Sequence, residues 1–285
     1  MKKQIIGGTF AEERALYACR DAEVFDCVFE GEADGESPLK ESRGVAVKNC
    51  RFALRYPMWH CEDILAWDCH FTEGCRAPFW YSDTVTLRHC KIEGVKAIRE
   101  CGDVLIEDTL ASSAELGWKC HDVIVRNSRI SSEYLFFECS SMKIRGLSVE
   151  GKYSFQYVND AEIFDSSFDT KDAFWHSKNV VVYDSEIKGE YLGWYSENLT
   201  LVNCKISGTQ PFCYCKGLKL IDCTLDGCDL SFEYSEVEAQ IKGRIESVKN
   251  PLAGYITADE IGEIIIDDEE VAGKCKITER EADGQ

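Results

Sequence analysis

Apolar and polar residues alternate along the chain in short segments that return at a fixed interval. The pattern apolar-x-apolar-x-(Asn/Asp)-(Cys/Ser)-x-apolar covers residues 45–52 and again residues 199–206. Its small central residue recurs after 23, 19 and 21 residues, and then seven times at a spacing of 19. It stands at Cys27, Cys50, Cys69, Cys90, Thr109, Ser128, Leu147, Ser166, Ser185, Cys204 and Cys223. Self-similarity at a fixed period is the signature of a solenoid.

The alternation within each repeat indicates strands, because it has a period of two and is rich in Val, Ile, Phe and Tyr. Nineteen residues are too few for two helices with their turns, and the leucine-rich skeleton is missing. Numbered from the small residue as zero, positions −5, −3, 0 and +2 are predicted to point inward. Asp, Asn and Gly at −6 and −1 are typical of turns. We therefore predict an all-β protein, a right-handed parallel β-helix of about 12 coils of about 19 residues.

The repeat loosens towards the C-terminus. Residues 1–236 are predicted to form the regular coils. From Val237 onward the 19-residue register is lost, and an apolar segment at 261–266 is followed by an acidic run. Residues 237–285 are interpreted as irregular C-terminal coils, a cap and a tail of the same domain, because the open end of a solenoid needs covering.

Composition and charge narrow the partners. The chain is 45% hydrophobic, enough for a core, and carries a net charge of −19. An acidic protein repels nucleic acid and anionic lipid. The sequence also contains no run of 18 apolar residues, the length needed for a helix to span a membrane. Neither a nucleic acid nor a membrane is therefore expected as a partner. The beginning of the sequence has no apolar segment of the kind that directs export, so a cytoplasmic location is expected. Oligomeric state stays open.

Sixteen cysteines fit the repeat better than a disulfide scaffold. A second column lies 11 residues after the first, and together the two columns contain most of the cysteines. We interpret them as reduced, buried thiols that pack as small residues, as expected in a cytoplasm. No cofactor is predicted. The second column comprises Cys19, Ser42, Cys61, Ser82, Cys101, Cys120, Cys139, Val158, Ser177, Ser196, Cys215 and Tyr234.

Aromatic residues gather at positions +6, +9 and +10. Strict alternation would place the apolar +8 column outside beside +10, which conflicts with its composition; the alternative is a bulged strand with +8 inside and the +9 tryptophans outside. An outward aromatic band is typical of a sugar-binding groove. The competing interpretation is structural, with tryptophans filling a flattened core. Candidate binding residues are Trp118, Tyr157, Trp175, Trp194, Tyr195, Gln210 and Tyr214.

Two further columns could bind ions. Positions −2 and +1 collect basic residues, of which Arg88, Arg126, Arg129 and Arg145 form a candidate anion site. A solvated face is the alternative, since exposed strands commonly carry long cations. The Asp and Asn residues at −1 could hold calcium, but corner side chains bonding to neighbouring backbone are the commoner arrangement. We predict no metal site.

The repeats resemble the pectin-lyase-like right-handed β-helices, and within that superfold a bacterial family known only as a domain of unknown function. Segments 189–196 (GEYLGWYS) and 208–215 (GTQPFCYC) carry the resemblance, which runs from about residue 5 to 240. It implies a fold but no established activity. Pentapeptide-repeat proteins share the (Asn/Asp)-(Cys/Leu)-x-Phe corner, yet they need it every five residues, and here it comes once per coil.

Two functions follow as hypotheses. The protein is either a non-catalytic β-helix that binds a carbohydrate or a protein along its aromatic face, or a cytoplasmic carbohydrate-active enzyme, a glycoside hydrolase or lyase, acting on an imported oligosaccharide. The superfold's galacturonan hydrolases carry Asn-Thr-Asp, Gly-x-Asp-Asp and Gly-His-Gly segments, none of which is present. Paired carboxylates could still hydrolyse a glycosidic bond. The catalytic candidates are Glu115, Glu138 and His176.

Overall fold

The computed structural model describes residues 3–32 and 35–280. The chain divides into two compact units, unit 1 (Met1–Ser148) and unit 2 (Val149–Gln285). The described residues form strands and turns and no helix, so none of them provides a helical membrane span. Each unit is built from short strands that pair in parallel with the strands of neighbouring coils. The predicted class, an all-β parallel β-helix, is confirmed.

In unit 1 the strands before the corner form sheet A. Val85, Val104 and Val123 lie side by side at the predicted spacing of 19 residues, and all three are buried. Sheet A of unit 1 contains Lys3–Ile6, Ala22–Phe25, Arg43–Lys48, Glu62–Trp67, Asp83–Arg88, Gly102–Glu107, His121–Arg126 and Ser140–Arg145.

The strands after the corner form sheet B, and three short strands further along the coil form sheet C. Phe29, Phe52 and Phe71 stack in the core beneath sheet B at centroid distances of 4.6 and 4.9 Å. Sheet B of unit 1 contains Thr9–Phe10, Val28–Phe29, Arg51–Phe52, His70–Phe71, Lys91–Ile92, Leu110–Ser112, Glu115–Leu116 and Arg129–Leu135. Sheet C contains Met58–Trp59, Phe79–Trp80 and Ile98–Arg99.

Unit 2 repeats sheets A and B and adds a two-stranded sheet D. Leu218–Asp226 is long enough to pair in sheet A with its first half and in sheet B with its second. Sheet A of unit 2 contains Asn159–Phe164, Lys178–Tyr183, Thr200–Val202, Leu218–Asp226, Glu236–Ile241, Ala253–Ala258 and Cys275–Glu279. Sheet B contains Ser148–Ser154, which starts at the last residue of unit 1, then Ser167–Thr170, Glu186–Lys188 and Lys205–Ser207. Sheet D contains Arg244–Lys249 and Glu260–Ile265.

Strand pairing continues beyond Val237, and the described residues make about fourteen turns, more than the predicted twelve. Val237 pairs with Gly254, and Gly254 pairs with Cys275. These steps of 17 and 21 residues escape a search for a 19-residue register, which explains the low count. The division between regular coils at 1–236 and a C-terminal cap at 237–285 stays a prediction, and the end of the predicted tail, residues 281–285, lies outside the described residues.

The corner columns −6 and −1 adopt a left-handed backbone. Asp184 and Asn203 have φ angles of 49° and 52°, a region that Asn and Asp tolerate better than other side chains. Their side chains also bond along the column: Asn203 Nδ2 donates to Asp184 Oδ1 at 2.8 Å, and Asn198 Nδ2 donates to Asn179 Oδ1 at 3.0 Å. Corner residues thus bond one another, and residues 3–32 and 35–280 contain no cluster of His, Cys, Asp and Glu suited to a metal ion.

The small inner columns link each coil to the next. Cys139 Sγ accepts the backbone N–H of Cys120 at 3.4 Å and lies 2.7 Å from the carbonyl oxygen of Gly117. Ser82 Oγ has the same role towards the N–H of Cys61, at 3.0 Å. Cys, Ser and Thr share these columns because each combines a small side chain with a donor and an acceptor. All sixteen cysteines lie in the described residues as free thiols, fifteen of them buried.

Candidate functional site

The conflict over the +8 column is resolved by the backbone. Phe155, Phe174 and Phe212 at +8 are at most 1% exposed, whereas Trp175 and Trp194 at +9 are half-buried and lie outside the core. The φ angle of Phe174 is 63°. Left-handed residues at +8 and again at +10 interrupt the pleat, so the side chains at +9 and +10 both lie on the outer side. The bulged alternative is therefore correct, and strict alternation is wrong for this segment.

Two glycines replace the aromatic residue in this inner column. A Cβ atom on Gly193 would lie 2.8 Å from the ring of Phe212, and one on Gly117 would lie 2.3 Å from the ring of Phe136. Both distances are closer than carbon atoms approach without repulsion. Each glycine therefore makes room for the phenylalanine of the following coil.

The +10 positions of unit 2, joined in the following coil by Tyr234 at +11, form a continuous stack of rings, here called the aromatic ladder. It consists of Tyr157, His176, Tyr195, Tyr214 and Tyr234. Successive centroids lie 4.9, 5.0, 4.9 and 5.7 Å apart, and the planes differ by 7° to 23°. This spacing follows the distance between strands of neighbouring coils, about 4.8 Å.

The ladder leaves part of its aromatic surface open to solvent. Tyr157 and Tyr195 are 44% and 43% exposed. Stacked rings are in contact when their planes are about 3.5–4.0 Å apart. The ladder centroids are about 5 Å apart, so neighbouring rings are displaced sideways and each leaves part of its face uncovered. Burial raises the pKa of Tyr214, and a hydrogen bond to Asp268 at 3.1 Å raises the pKa of Tyr234. The ladder thus offers ring edges, partial faces and phenol hydroxyls.

A tryptophan pair, Trp175 and Trp194, lies beside the ladder. The two indoles stack at 5.5 Å with an angle of 4°. Trp194 also contacts the ladder edge-on, with centroids 5.6 Å from Tyr214 and 6.3 Å from Tyr195. Each indole N–H donates to a carbonyl oxygen of the next coil, Trp175 to Tyr191 at 2.7 Å and Trp194 to Gln210 at 2.8 Å. The pair therefore serves the structure through its N–H groups while its rings extend the aromatic surface.

The +6 positions on the other side of the tryptophans form a polar column of Asp172, Tyr191, Gln210 and Asp229. Asp172 is only 7% exposed, and burial raises the pKa of its carboxyl group. One carboxyl oxygen of Asp172 and one of Asp229 are buried without a hydrogen-bond partner in the described part of the chain. The polar column, the tryptophan pair and the aromatic ladder together are called the binding strip below.

Two lysines near the binding strip are already paired. Lys171 Nζ lies 3.0 Å from Glu190 and 5.3 Å above the ring of Tyr191. Lys249 Nζ lies 3.0 Å from Glu233. These cations neutralise neighbouring glutamates, and in the described part of the chain neither of them bonds the buried, unpaired oxygen of Asp172 or Asp229.

Tyr234 was missed as a ladder residue by the sequence analysis, which placed it in the inner second column. In the structure Ser235 takes the inner position, where its Oγ accepts the N–H of Cys215 at 2.8 Å. Phe232 is fully buried beside Phe212. One extra residue in this coil shifts the register. The recurrence of Phe-x-Tyr-(Cys/Ser) at 212–215 and 232–235 is the signal that identifies the shift.

The predicted residues fall on both units. Tyr157, Trp175, Trp194, Tyr195, Gln210 and Tyr214 all belong to the binding strip of unit 2. Trp118 lies in unit 1, where its indole N–H faces the carbonyl oxygen of Tyr134 at 3.4 Å and Arg99 lies over its ring at 5.0 Å. Trp118 is therefore not one of the residues of the binding strip, which is defined within unit 2.

The catalytic candidates have defined neighbours. Glu115 lies 3.2 Å from Arg99 and 3.9 Å from Lys96, and Glu138 lies 3.5 Å from Lys119. Both glutamates are in unit 1. His176, in unit 2, is stacked between Tyr157 and Tyr195. Each has a structural partner, and their catalytic roles stay predictions.

The basic column of unit 1 is partly neutralised. Arg88 Nε lies 2.9 Å from Glu107, and Arg126 lies 3.4 Å from the other oxygen of the same carboxylate. Arg129 and Arg145 are exposed. The anion site at these four arginines stays a prediction, and the shared glutamate reduces the charge that it would present.

A family model described as "Protein of unknown function (DUF3737)" matches residues 3–278, so the chain belongs to this family. The predicted membership of a family of unknown function is thereby confirmed. No curated protein matches the chain.

Solved structures with similar folds include three carbohydrate-related proteins. The tailspike protein of E. coli bacteriophage HK620, in complex with a pentasaccharide, is 10% identical over 96% of this chain and 72% of its own, with a TM-score of 0.49. The A-module of the mannuronan C-5 epimerase AlgE6 of Azotobacter vinelandii is 9% identical over 100% and 92%, with a TM-score of 0.39. The catalytic domain of a GH87 α-1,3-glucanase, in complex with nigerose, is 8% identical over 97% and 63%, with a TM-score of 0.35.

Proposed function

We propose that this protein is a non-catalytic carbohydrate-binding β-helix whose oligosaccharide ligand lies along the binding strip of unit 2. The observation that carries the proposal is the ladder of five rings beside the tryptophan pair. Apolar ring surfaces pack against the C–H faces of pyranoses, while phenol, amide and carboxylate groups bond the hydroxyls. The strip contains both kinds of group.

The repetition of the strip supports an extended ligand. An aromatic ring recurs in five successive coils, at steps of 4.9 to 5.7 Å. A ligand built from repeated units can make a similar contact at each step, so each added unit adds binding energy. A protein segment bound along the same strip is the competing hypothesis.

A glycan array probed with the full-length chain tests the proposal. Tyr195→Ala removes an exposed ladder ring and is expected to lower binding at least tenfold. Tyr81→Ala is the matched control, because Tyr81 is also 43% exposed and stacked on a neighbouring ring, His60 at 5.2 Å, but lies in unit 1. Equal binding by wild type and Tyr195→Ala would refute the site. Glycans that never bind, together with a protein partner whose binding is lost in Tyr195→Ala, would favour the competing hypothesis.

The enzymatic alternative is tested on the same ligands. Incubation of bound glycans with wild type, Glu138→Gln and His176→Gln, followed by product analysis, separates the two functions. We expect binding without cleavage. Cleavage that disappears in either variant would establish a carbohydrate-active enzyme instead.

We also propose that the protein works in the cytoplasm. Sixteen free thiols, fifteen of them buried, support a reducing compartment. Cell fractionation followed by antibody detection tests this location, and recovery from an exported fraction would contradict it.

A further inference from the structure

Two aspartates of the polar column have an unmet requirement for hydrogen-bond donors. Asp172 and Asp229 each bury one carboxyl oxygen for which the described residues provide no partner. Asp172 is more than nine-tenths buried. A buried carboxylate oxygen that has lost water and gained no donor destabilises the protein. An unsatisfied buried polar group in a native structure calls for an explanation, and a bound ligand that supplies the missing donor is one.

The protein's own cations do not supply these donors. The ammonium group of Lys171 is held by Glu190 at 3.0 Å, and that of Lys249 is held by Glu233 at 3.0 Å. Lys171 lies over the Tyr191 ring at 5.3 Å, within the range of a cation–π contact. The ring of Tyr191 thus already faces the ammonium group of Lys171, whereas one oxygen of Asp172 and one of Asp229 still lack a donor.

An ammonium group fits these features better than a hydroxyl or a carboxylate. It carries three donors and a positive charge, whereas a carboxylate oxygen only accepts. The net charge of −19 attracts cationic ligands and repels uronates. Charge and hydrogen bonding therefore favour the same ligand class.

The separation of the aspartates sets the length of the ligand. From Asp172 the column passes through Tyr191 and Gln210 to Asp229, which is three coil steps. At about 4.8 Å per step the two carboxyl groups are about 14 Å apart. A single sugar cannot reach both, so amino groups are needed on separate units of one chain.

We propose that the binding strip selects oligosaccharides of amino sugars with free amino groups, and that Asp172 and Asp229 are its specificity-determining residues. This inference rests on the proposed carbohydrate-binding function. The Asp172 and Asp229 carboxylates bond ammonium groups on separate sugars, and the tryptophan pair and aromatic ladder contact the rings.

Calorimetry with the full-length chain at low ionic strength tests the inference. The probes are a glucosamine hexamer, its fully N-acetylated counterpart and a galacturonic acid hexamer. Wild type is expected to bind the glucosamine hexamer at least tenfold more tightly than the acetylated one, and the uronate least tightly. Asp172→Asn and Asp229→Asn should each lower this preference several-fold, because each removes one of the carboxylates that would bond an ammonium group.

Asp169→Asn provides the matched control. Asp169 lies in the same unit, is exposed and pairs with Lys188 at 2.8 Å, so its replacement changes the net charge equally outside the binding strip. It should keep the preference. If Asp169→Asn lowers the preference as much as Asp172→Asn, the effect is general electrostatics and the inference is wrong.

The remaining outcomes separate the two proposals. If wild type binds both hexamers equally and Tyr195→Ala abolishes both, the aspartates have no selective role and the carbohydrate-binding function stands. If wild type binds neither hexamer nor any neutral glycan, the proposed function fails and this inference fails with it.

Discussion

The indole Nε1 of Trp194 donates a hydrogen bond of 2.8 Å to the backbone carbonyl oxygen of Gln210, sixteen residues further along the chain. Trp175 makes the equivalent bond to Tyr191 at 2.7 Å. Both bonds join one coil to the next at the edge of the aromatic ladder. The tryptophans therefore hold the backbone from which the polar column projects.

Replacement of Trp194 by Phe should lower the free energy of unfolding by about 1 kcal/mol, because a ring remains but the Gln210 carbonyl loses its donor. Trp59→Phe is the control. The Trp59 N–H is buried without a partner in the described residues, so its removal should cost less or even stabilise the protein. Urea unfolding measures both. Equal losses would show that the hydrogen bond contributes nothing beyond ring volume.

Two cysteines should respond in opposite ways to the same substitutions. Cys139 accepts the N–H of Cys120 and lies near the carbonyl oxygen of Gly117, so serine keeps these bonds, whereas alanine leaves a buried N–H unpaired at about 1–3 kcal/mol. Cys75 is fully buried, and no hydrogen bond to its sulfur occurs in the described part of the chain. At Cys75 serine should be worse than alanine, because it buries an unpaired hydroxyl. Thermal melts of the four variants test this reversal, and the same order at both sites would contradict it.

Most thiols of the folded protein should resist modification. Burial raises the pKa of Cys61 to about 12 and that of Cys215 to about 11, so thiolate is scarce at neutral pH and reagents cannot reach it.

 Loss of water around the charged thiolate is the main cause of these shifts. It raises the pKa of the Cys61 thiol and that of the Cys228 thiol to about 12 each. Cys19 is the one cysteine that is not buried.

A chromogenic disulfide reagent should therefore modify about one thiol in the native protein and all sixteen in denaturant. Cys19→Ser should abolish the native reaction, whereas Cys61→Ser should leave it unchanged. Rapid modification of several native thiols would mean that the inner columns open on the time scale of the reaction.

The buried Asp172 carboxyl group should make stability depend on pH. Burial raises its folded pKa above the ordinary value of 3.8; the charge of Lys171 opposes this increase and that of Glu190 adds to it. The folded state thus binds the proton more tightly than the unfolded state does. The associated stability is complete below pH 3.8 and is lost as pH rises through the folded pKa.

Asp172→Asn should therefore raise the melting temperature at neutral pH, and the gain should shrink as the pH approaches 3.8. Asp169→Asn, which removes an exposed carboxylate paired with Lys188, should give no such gain. Melting curves across this range measure the effect. A gain from Asp172→Asn that is the same at every pH would show that the carboxyl group does not titrate differently on folding.

The sequence predicted the parts of the fold that repeat. Val85, Val104 and Val123 lie side by side because a fixed spacing of 19 leaves one register for strands with buried alternate residues. The columns of small residues and the left-handed corners follow from the same spacing. These features depend on the type of each residue and on the number of residues between repeats, and both can be read directly from the sequence.

The details of the binding strip could not be predicted in the same way. The acceptor of the Trp194 N–H is the backbone carbonyl oxygen of Gln210. Every residue has such an oxygen, so the residue type at position 210 does not predict the bond. The inward position of Phe174 depends on a φ angle of 63°, which is unusual for a bulky residue. The extra residue before Phe232 moved Tyr234 to the ladder, and the unpaired oxygen of Asp172 became visible only once its surroundings were known.

Phe212 packs against Gly193, so substitutions in one coil limit which substitutions the next coil can accept during evolution. A mutation that gives residue 193 a side chain is tolerated only with a smaller residue at 212, and Gly117 and Phe136 are bound by the same constraint. These positions should change together among descendants of one ancestral chain. Coils exchanged between such proteins, by recombination or by design, would have to be transferred as adjacent pairs.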